Sequence, residues 1–356
     1  MEKKKVVLGM SGGVDSSVAA YILKEQGYDV IGVTMKVWDG EGDEDSCCGL
    51  SGIQDARRVA NKLGIPHYVM NFKEEFKCSV IDYFIDSYEH GETPNPCIAC
   101  NKFIKWEALL NKAKAMGADY IATGHFAKIS QDEKSGRYFI EMSEADKKDQ
   151  SYVLYNLTQE QLKHTLMPLS TYNKDKVREI AREIGINVAN KPDSQDICFI
   201  PDGDYVKFIK ENSDMKIAEG NFIDAQGNIL GKHKGIINYT IGQRKGLNIA
   251  FGKPMYVIDI NTDANTVTLG ENAEIFTKKV YACELNFTVF EKLETKMEIK
   301  AKIRYSHKPA NATISMVDEK ILLCEFEEPQ RAVTPGQAIV FYDGEKVIGG
   351  GKIIKY

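Results

Sequence analysis

Two groups of residues in this 356-residue chain have the types and spacing for chemistry. The first is Gly9-Met10-Ser11-Gly12-Gly13-Val14-Asp15-Ser16-Ser17. A glycine-rich turn aims several backbone N–H groups at one spot beside the positive end of a helix dipole, which makes an anion site, most naturally for phosphate. Ser11, Ser16 and Ser17 can add hydroxyl donors. The second group is Cys97-Ile98-Ala99-Cys100, behind Asn95-Pro96, with Cys198 further along in a second polar loop. A thiol next to a helix N-terminus is biased toward thiolate, the form that attacks. Asn101 is placed to cap a helix from Lys102 and so to put Cys100 at that position.

Neither group is unambiguous by itself. The loop has no G-x-x-x-x-G-K-[ST], so no lysine is placed in it to reach terminal phosphates, and it is not G-x-G-x-x-G either. Its bland reading is a tight strand-to-helix turn. The cysteine pair has three alternatives to nucleophilic work. Structural zinc wants four ligands, and no second C-x-x-C is present. A thioredoxin-like redox pair would follow a strand directly. Inert buried thiols are the expectation for Cys78, Cys283 and Cys324. For Cys97 and Cys100 the residues alone leave chemistry and metal binding equally open.

Positioning such groups requires a framework, and the chain supplies one. Val6-Val7-Leu8 is a continuous apolar run, the pattern of a strand buried on both faces, and Val14, Val18, Ala19, Ile22 and Leu23 recur at helical spacing behind the loop. Buried strands follow at Val30-Ile31-Gly32-Val33, His67-Tyr68-Val69-Met70 and Tyr120-Ile121-Ala122, alternating with helical stretches that include 53–63, 72–88 and 102–116. Alternation of this kind predicts an α/β, doubly wound parallel sheet with helices on both faces. Ligands of such sheets sit beyond the carboxyl ends of the strands, which gathers the Ser11 loop, Met35 and Gly124-His125. Met35 could cover an adenine ring or simply fill the core.

Polar loops follow at 131–137 and 144–150, short helices at 158–164 and 174–184, and then the Cys198 loop. Glycines at 220, 227, 231 and 235 mark a change of texture, followed by strands at 254–260 and 266–270. From there strands recur without helices, which predicts a small β-barrel. We divide the chain at 1–205, 206–275 and 276–356. A length of 356 residues exceeds a single core, in keeping with three parts.

Composition narrows the class. Hydrophobic content of 43% with 27% charged is a globular balance, and no apolar run approaches the roughly 18 residues of a membrane span, so a cytoplasmic protein is expected. The net charge of −5 argues against a surface coated for nucleic acid but leaves room for local basic patches, such as 232–245 and 304–308. Eight cysteines, at 47, 48, 78, 97, 100, 198, 283 and 324, should then be mostly reduced.

The ordered series of motifs is specific. SGGVDS from Ser11, TPNPC-x-x-C-N-x-x-I-K from Thr93, TGH from Thr123, KDQSY from Lys148, DSQDICF from Asp193, IGQRKGL from Ile241, the pair Arg304-Tyr305 and Pro335-Gly336-Gln337 resemble the bacterial tRNA-specific 2-thiouridylase (MnmA/TrmU) family over nearly the whole chain. The resemblance implies a PP-loop (adenine nucleotide alpha-hydrolase-like) ATP-binding domain, a central tRNA-binding domain and a C-terminal β-barrel.

The resemblance also implies that ATP, with Mg²⁺, adenylates C2–O2 of the wobble uridine of tRNAs for Lys, Glu and Gln. Sulfur then arrives as a cysteine persulfide fed by a desulfurase or a relay protein. By motif, Gly9, Met10, Ser11, Gly12, Gly13, Val14, Asp15, Ser16, Met35 and Gly124 match the ATP contacts. Asn95, Pro96 and Cys97 match the stretch that meets the target base. His125, Lys148, Asp149, Gln150, Arg304, Tyr305 and Gln337 match tRNA contacts. By the match, the resemblance implies that Cys198 carries the persulfide and that Cys100 is the nucleophile that attacks it, releasing hydrosulfide or forming a transient Cys100–Cys198 disulfide. Some members have aspartate where this chain has Cys97, so a [4Fe–4S] cluster on Cys97, Cys100 and Cys198 is an alternative route, and another ATP-pyrophosphatase synthetase an alternative activity.

Overall fold

The computed structural model describes residues 3–38, 49–144, 148–186, 197–249 and 252–356. Cys47, Cys48, Lys147 and Ser194-Gln195-Asp196 lie outside the described residues.

The N-terminal part alternates strand and helix as its apolar pattern predicts: β1 (Lys5–Gly9), α1 (Val14–Glu25), β2 (Asp29–Lys36), α2 (Leu50–Leu63) and β3 (His67–Asn71). After β3, α3 (Lys73–Phe76) runs through a π-helical turn (Lys77–Ile81) into α4 (Asp82–Glu89). Next come α5 (Pro96–Ala99), a π-helical stretch (Cys100–Ala108), α6 (Leu109–Ala115) and β4 (Tyr120–Ala122). After the β5–β6 hairpin (Lys128–Gln131 and Tyr138–Glu141), α7 (Gln159–Lys163) leads to β7 (Thr165–Leu166), and α8 (Lys174–Glu183) and α9 (Tyr205–Asn212) follow.

The five strands stand in the order β3-β2-β1-β4-β7 with parallel pairings throughout. Successive side chains of a strand face opposite ways, and β1 shows it: Val7 packs into one apolar cluster while Val6 and Leu8 pack into the other. One cluster holds Phe72, Phe76, Phe84, Ile104 and Trp106; the other holds Val18, Ala19, Leu23, Val59 and Val177. The sheet is thus covered on both faces, which is why its strands are apolar throughout.

A second sheet, β10-β11-β8-β9, is built from β8 (Gly220–Ile223), β9 (Ile229–His233), β10 (Tyr256–Asn261) and β11 (Thr266–Gly270) around Phe222, Val257 and Leu269. The C-terminal strands are β12 (Phe276–Phe287), β13 (Met297–Lys302), β14 (Ala310–Met316), β15 (Leu322–Arg331), β16 (Ala338–Asp343) and β17 (Lys346–Ile354). They run β12-β15-β14-β13-β16-β17 and close where β12 pairs with β17, which makes a six-stranded barrel.

Two sequence expectations need correction. The polar stretch after His125 holds a hairpin, with 131–137 at its turn, and β6 pairs with β17 through Val347↔Ile140, so the N-terminal part lends two strands to the barrel sheet. The helix after the prolines starts at Pro96, not at Lys102: Asn95 Oδ1 accepts from the Ile98 N–H at 3.3 Å, and Pro96 takes the first helical position, where its missing N–H costs nothing. Asn101 is therefore not the cap. It is buried within the π-helical stretch, donating from Nδ2 to the Val153 carbonyl at 2.9 Å and accepting from Lys105 Nζ at 2.9 Å.

Candidate active site

The glycine loop leaves β1 at the carboxyl edge of the sheet. The Met10 N–H donates to the Val33 carbonyl at 2.8 Å, and the Met10 carbonyl accepts from Thr34 Oγ1 at 2.8 Å, so the loop's base is locked to β2. His67 Nε2 lies 2.9 Å from the same Thr34 hydroxyl and backs the lock from β3. Ser16 and Ser17 hydroxyls donate to the Gly13 carbonyl at 3.2 and 2.8 Å, and the Ser11 N–H donates to Ser16 Oγ at 3.2 Å. No side chain caps α1 at Gly13. The first-turn N–H groups of that helix are therefore the natural seat for an anion.

Two glycines are fixed by space. Gly12 has φ +73°, and a Cβ there would stand 2.3 Å from the Gly52 carbonyl oxygen at the start of α2. A Cβ on Gly124 would stand 2.7 Å from the Ser16 nitrogen. Gly124 is thus held against the loop's far side, and a Cβ on Gly9 would sit 3.8 Å from the Met35 side chain. Gly9, Met35, Gly124 and the Ser11–Ser17 loop therefore converge at one end of the parallel sheet, as the strand-end rule predicts.

Lys174 also enters this group, which the sequence did not signal. Its Nζ lies 2.6 and 2.7 Å from the two carboxylate oxygens of Asp15.

The cysteines are placed by α5. Cys97 falls in the first turn behind Asn95, so the helix field acts on it before Cys100, one turn further on. Cys97 and Cys198 are exposed and Cys100 is half-buried against the Phe76–Phe84 cluster. The residue after Cys198 is anchored in that same cluster: the Phe199 ring packs 5.6 Å from Phe76, 5.5 Å from Phe84 and 5.1 Å from Phe208. Among the described residues no group of three His, Cys, Asp or Glu side chains is placed to hold a metal ion.

The barrel reaches the cysteine helix directly. Gln337 Nε2 donates to the Thr93 and Pro94 carbonyls at 2.8 and 3.2 Å, and the Thr93 N–H donates to the Pro335 carbonyl at 2.9 Å. Arg304 Nη2 donates to the Ala332 carbonyl and to Thr334 Oγ1. Arg304, Gln337, Thr93, Tyr205, Asn238 and Gln243 line a cavity of about 650 Å³ where all three parts of the chain meet. Tyr305 is exposed, with its ring 6.2 Å from that of Tyr152; burial, then the charges of Asp149 and Cys97, raise its phenol pKa.

Three more of the residues matched to tRNA contacts are engaged inside the protein. Asp149 is buried and accepts from the Ser143 and Ser151 N–H groups at 3.1 and 3.3 Å and from the Ser151 hydroxyl at 2.7 Å; burial raises its pKa against those bonds. Gln150 Oε1 accepts from the Phe126 N–H at 3.0 Å. His125 is 9% exposed, beside Trp106 at 5.5 Å and Thr123 Oγ1 at 2.6 Å, and burial, then Lys105, holds its pKa well below 6.5. Lys148 is exposed. Lys302, which carried no motif, is only 7% exposed, with its ammonium 5.6 and 5.7 Å from the Tyr152 and Tyr305 ring centres.

Models of three protein families match along the chain: a tRNA methyl transferase HUP domain over residues 4–202, a tRNA methyl transferase PRC-barrel domain over 206–271, and an aminomethyltransferase beta-barrel domain over 277–353. A tRNA-specific 2-thiouridylase MnmA from Clostridioides difficile (strain 630) is 60% identical over 355 residues, covering 99% of this chain and 98% of that one. The chain belongs to the tRNA-specific 2-thiouridylase family. Relatives of the same name from Lachnoclostridium phytofermentans and Acetivibrio thermocellus are each 58% identical, covering 99% of this chain and all of theirs. In this thiouridylase-family chain the three matched segments meet at the cavity beside Arg304 and Gln337.

Proposed function

We propose that this protein makes 2-thiouridine at the wobble position of tRNAs for Lys, Glu and Gln in the cytoplasm, using ATP with Mg²⁺. A uracil carbonyl oxygen is a poor leaving group; transfer of AMP to O2 turns it into a good one. Gly9 through Ser16, with Met35 and Gly124, hold the nucleotide. Asn95, Pro96 and Cys97 meet the target base. Its flanks rest on His125, Lys148, Asp149, Gln150, Arg304, Tyr305 and Gln337, of which Asp149 and Gln150 act by fixing the surrounding backbone.

Cys198, charged by a desulfurase or sulfur-relay protein, carries the terminal sulfur. Cys100 attacks the Cys198 sulfur, releasing hydrosulfide that displaces AMP at C2, and the resulting Cys100–Cys198 disulfide is reopened by a thiol reductant. A base acted on within an anticodon loop must be splayed out and held, which suits a site shared by three domains.

One observation carries this reading: Gln337 of the barrel is hydrogen-bonded to the backbone just ahead of Asn95, so the RNA-facing part and the cysteine helix share one surface. The family descriptions speak of methyl transfer, but a sulfonium methyl donor carries no phosphate and would leave the loop at α1 without work. The test is to incubate purified protein, ATP, Mg²⁺, a sulfur donor and unmodified tRNA-Glu, and to measure AMP and 2-thiouridine. Both products are expected, from iron-free protein, with thiolation lost in Cys100→Ala and Cys198→Ala. Full thiolation by either variant would overturn the cysteine roles.

A further inference from the structure

Lys302, the last residue of β13, is buried although it is charged. Its strand neighbours Ala301 and Ile303 face the barrel interior, so Lys302 points outward. Its cross-strand partner Val340 packs into the apolar cluster of the N-terminal part, which places Lys302 between the barrel and that part. There its ammonium stands 5.6 Å from the centre of the buried Tyr152 ring and 5.7 Å from that of Tyr305.

Aromatic faces attract a cation, but they do not replace the oxygen acceptors that an ammonium's N–H groups have in water. Among the described residues the Lys302 ammonium makes no hydrogen bond and no ion pair. Asp149 is the carboxylate whose charge it feels, but Asp149 is already engaged by the Ser143 N–H and by the N–H and hydroxyl of Ser151. Other groups around it share its sign. In the turn after β13, His307 is held toward its neutral form by burial, then by Arg304 and Lys302, and Arg304 itself has Arg331 near it. An uncharged chain of the same length would fill the space between two rings without the cost of burying an ammonium. The charge is therefore explained by an acceptor that arrives from outside.

We propose that Lys302 is a buried phosphate anchor, whose ammonium receives a phosphodiester oxygen of the bound RNA beside Tyr305. This deepens the tRNA reading above and rests on it. Tyr305 is 43% exposed, so the ammonium stands one aromatic ring below the surface. A phosphate that reaches it meets a charge held in low dielectric, where one contact is worth more than at a solvated lysine. ATP carries the same oxygen chemistry, but Lys302 stands on the barrel, next in sequence to Ile303-Arg304-Tyr305, whereas the anion seat at α1 belongs to the parallel sheet. The RNA backbone is the source that this placement favours.

The test measures tRNA binding across a range of salt concentrations, MgATP binding, and the melting temperature of the free protein, for wild type, Lys302→Met and Lys302→Arg. Lys302→Met should weaken tRNA by about tenfold to a hundredfold, the scale of one hydrogen bond to a charged group. It should also shallow the slope of log affinity against log salt by about 0.7–0.9, the share of one phosphate contact. MgATP affinity should be unchanged, and the melting temperature should hold or rise, because an uncompensated charge leaves the interior. Lys302→Arg should keep the wild-type salt slope. If Lys302→Met does not fold, Lys302→Gln is read by the same slope. Wild-type tRNA affinity and salt slope in the uncharged variant would overturn the proposal. So would a lowered melting temperature with equal losses of tRNA and MgATP, which would mean a structural lysine, or a loss of MgATP alone, which would assign the ammonium to ATP. A wild-type protein that bound no tRNA would instead sink the tRNA reading itself.

Discussion

Replacing Gly124 with alanine tests whether the TGH turn and the glycine loop form one site. The new methyl would stand 2.7 Å from the Ser16 nitrogen and 2.9 Å from the Asp15 carbonyl carbon, both backbone atoms that no rotamer change can move aside. Overpacking against fixed atoms costs about 1–3 kcal/mol. The strain falls on the first turn of α1, where the anion is to bind. If it is all expressed there, ATP affinity drops by about fivefold to 150-fold. Calorimetric titration with MgATP reads this directly, while tRNA binding measured by filter retention should stay unchanged. Gly9→Ala is the control for stability, because its nearest new neighbours lie 3.8 Å away, so only Gly124→Ala should lower the melting temperature of the free protein. A Gly124→Ala protein with wild-type ATP affinity and stability would refute the packing argument.

Arg304→Ala should weaken tRNA binding by about 1–3 kcal/mol and shallow the salt dependence of binding by roughly one phosphate contact, with ATP affinity unchanged; titrations at several salt concentrations check both. For His125, burial lowers the folded-state pKa below its ordinary 6.5, so the unfolded chain binds the extra proton first. Its contribution is present above 6.5 and lost as pH falls from there toward the folded value, at up to about 1.4 kcal/mol per pH unit. His67, His233 and His307 have pKa values lowered by burial in the same direction, so denaturant titrations from pH 7 to 5 should show a steep loss in wild type, and His125→Gln should remove one proton's share of that slope.

The parallel sheet and the loop on it were legible because each strand is a short apolar run and the turn between β1 and α1 has its glycines, serines and aspartate in order. The true start of the cysteine helix was also written in the sequence: Asn95-Pro96 is a cap followed by a first-turn proline, a start signal that precedes Asn101 by six residues. Other features had no local signal. The β5–β6 hairpin reads as polar loop because its strands are four residues each and the outer partner of β6, β17, lies some two hundred positions away. Lys174 reads as one exposed lysine of an amphipathic helix, and only the packing of α8 beside α1 reveals its partner. Asp149 and Gln150 read as surface groups because a polar motif does not say which of its members turn inward.

The account's central claim is that one site joins ATP activation to sulfur carried on Cys198. The most direct measurement is the mass of the proteolytic peptide bearing Cys198, taken after incubation with a sulfur donor in the absence of tRNA and again after adding tRNA and ATP. The expected result is one extra sulfur on Cys198 in the first sample, lost in the second as 2-thiouridine appears. Extra sulfur only on Cys97 or Cys283, or none on Cys198 while the tRNA is still thiolated, would contradict it.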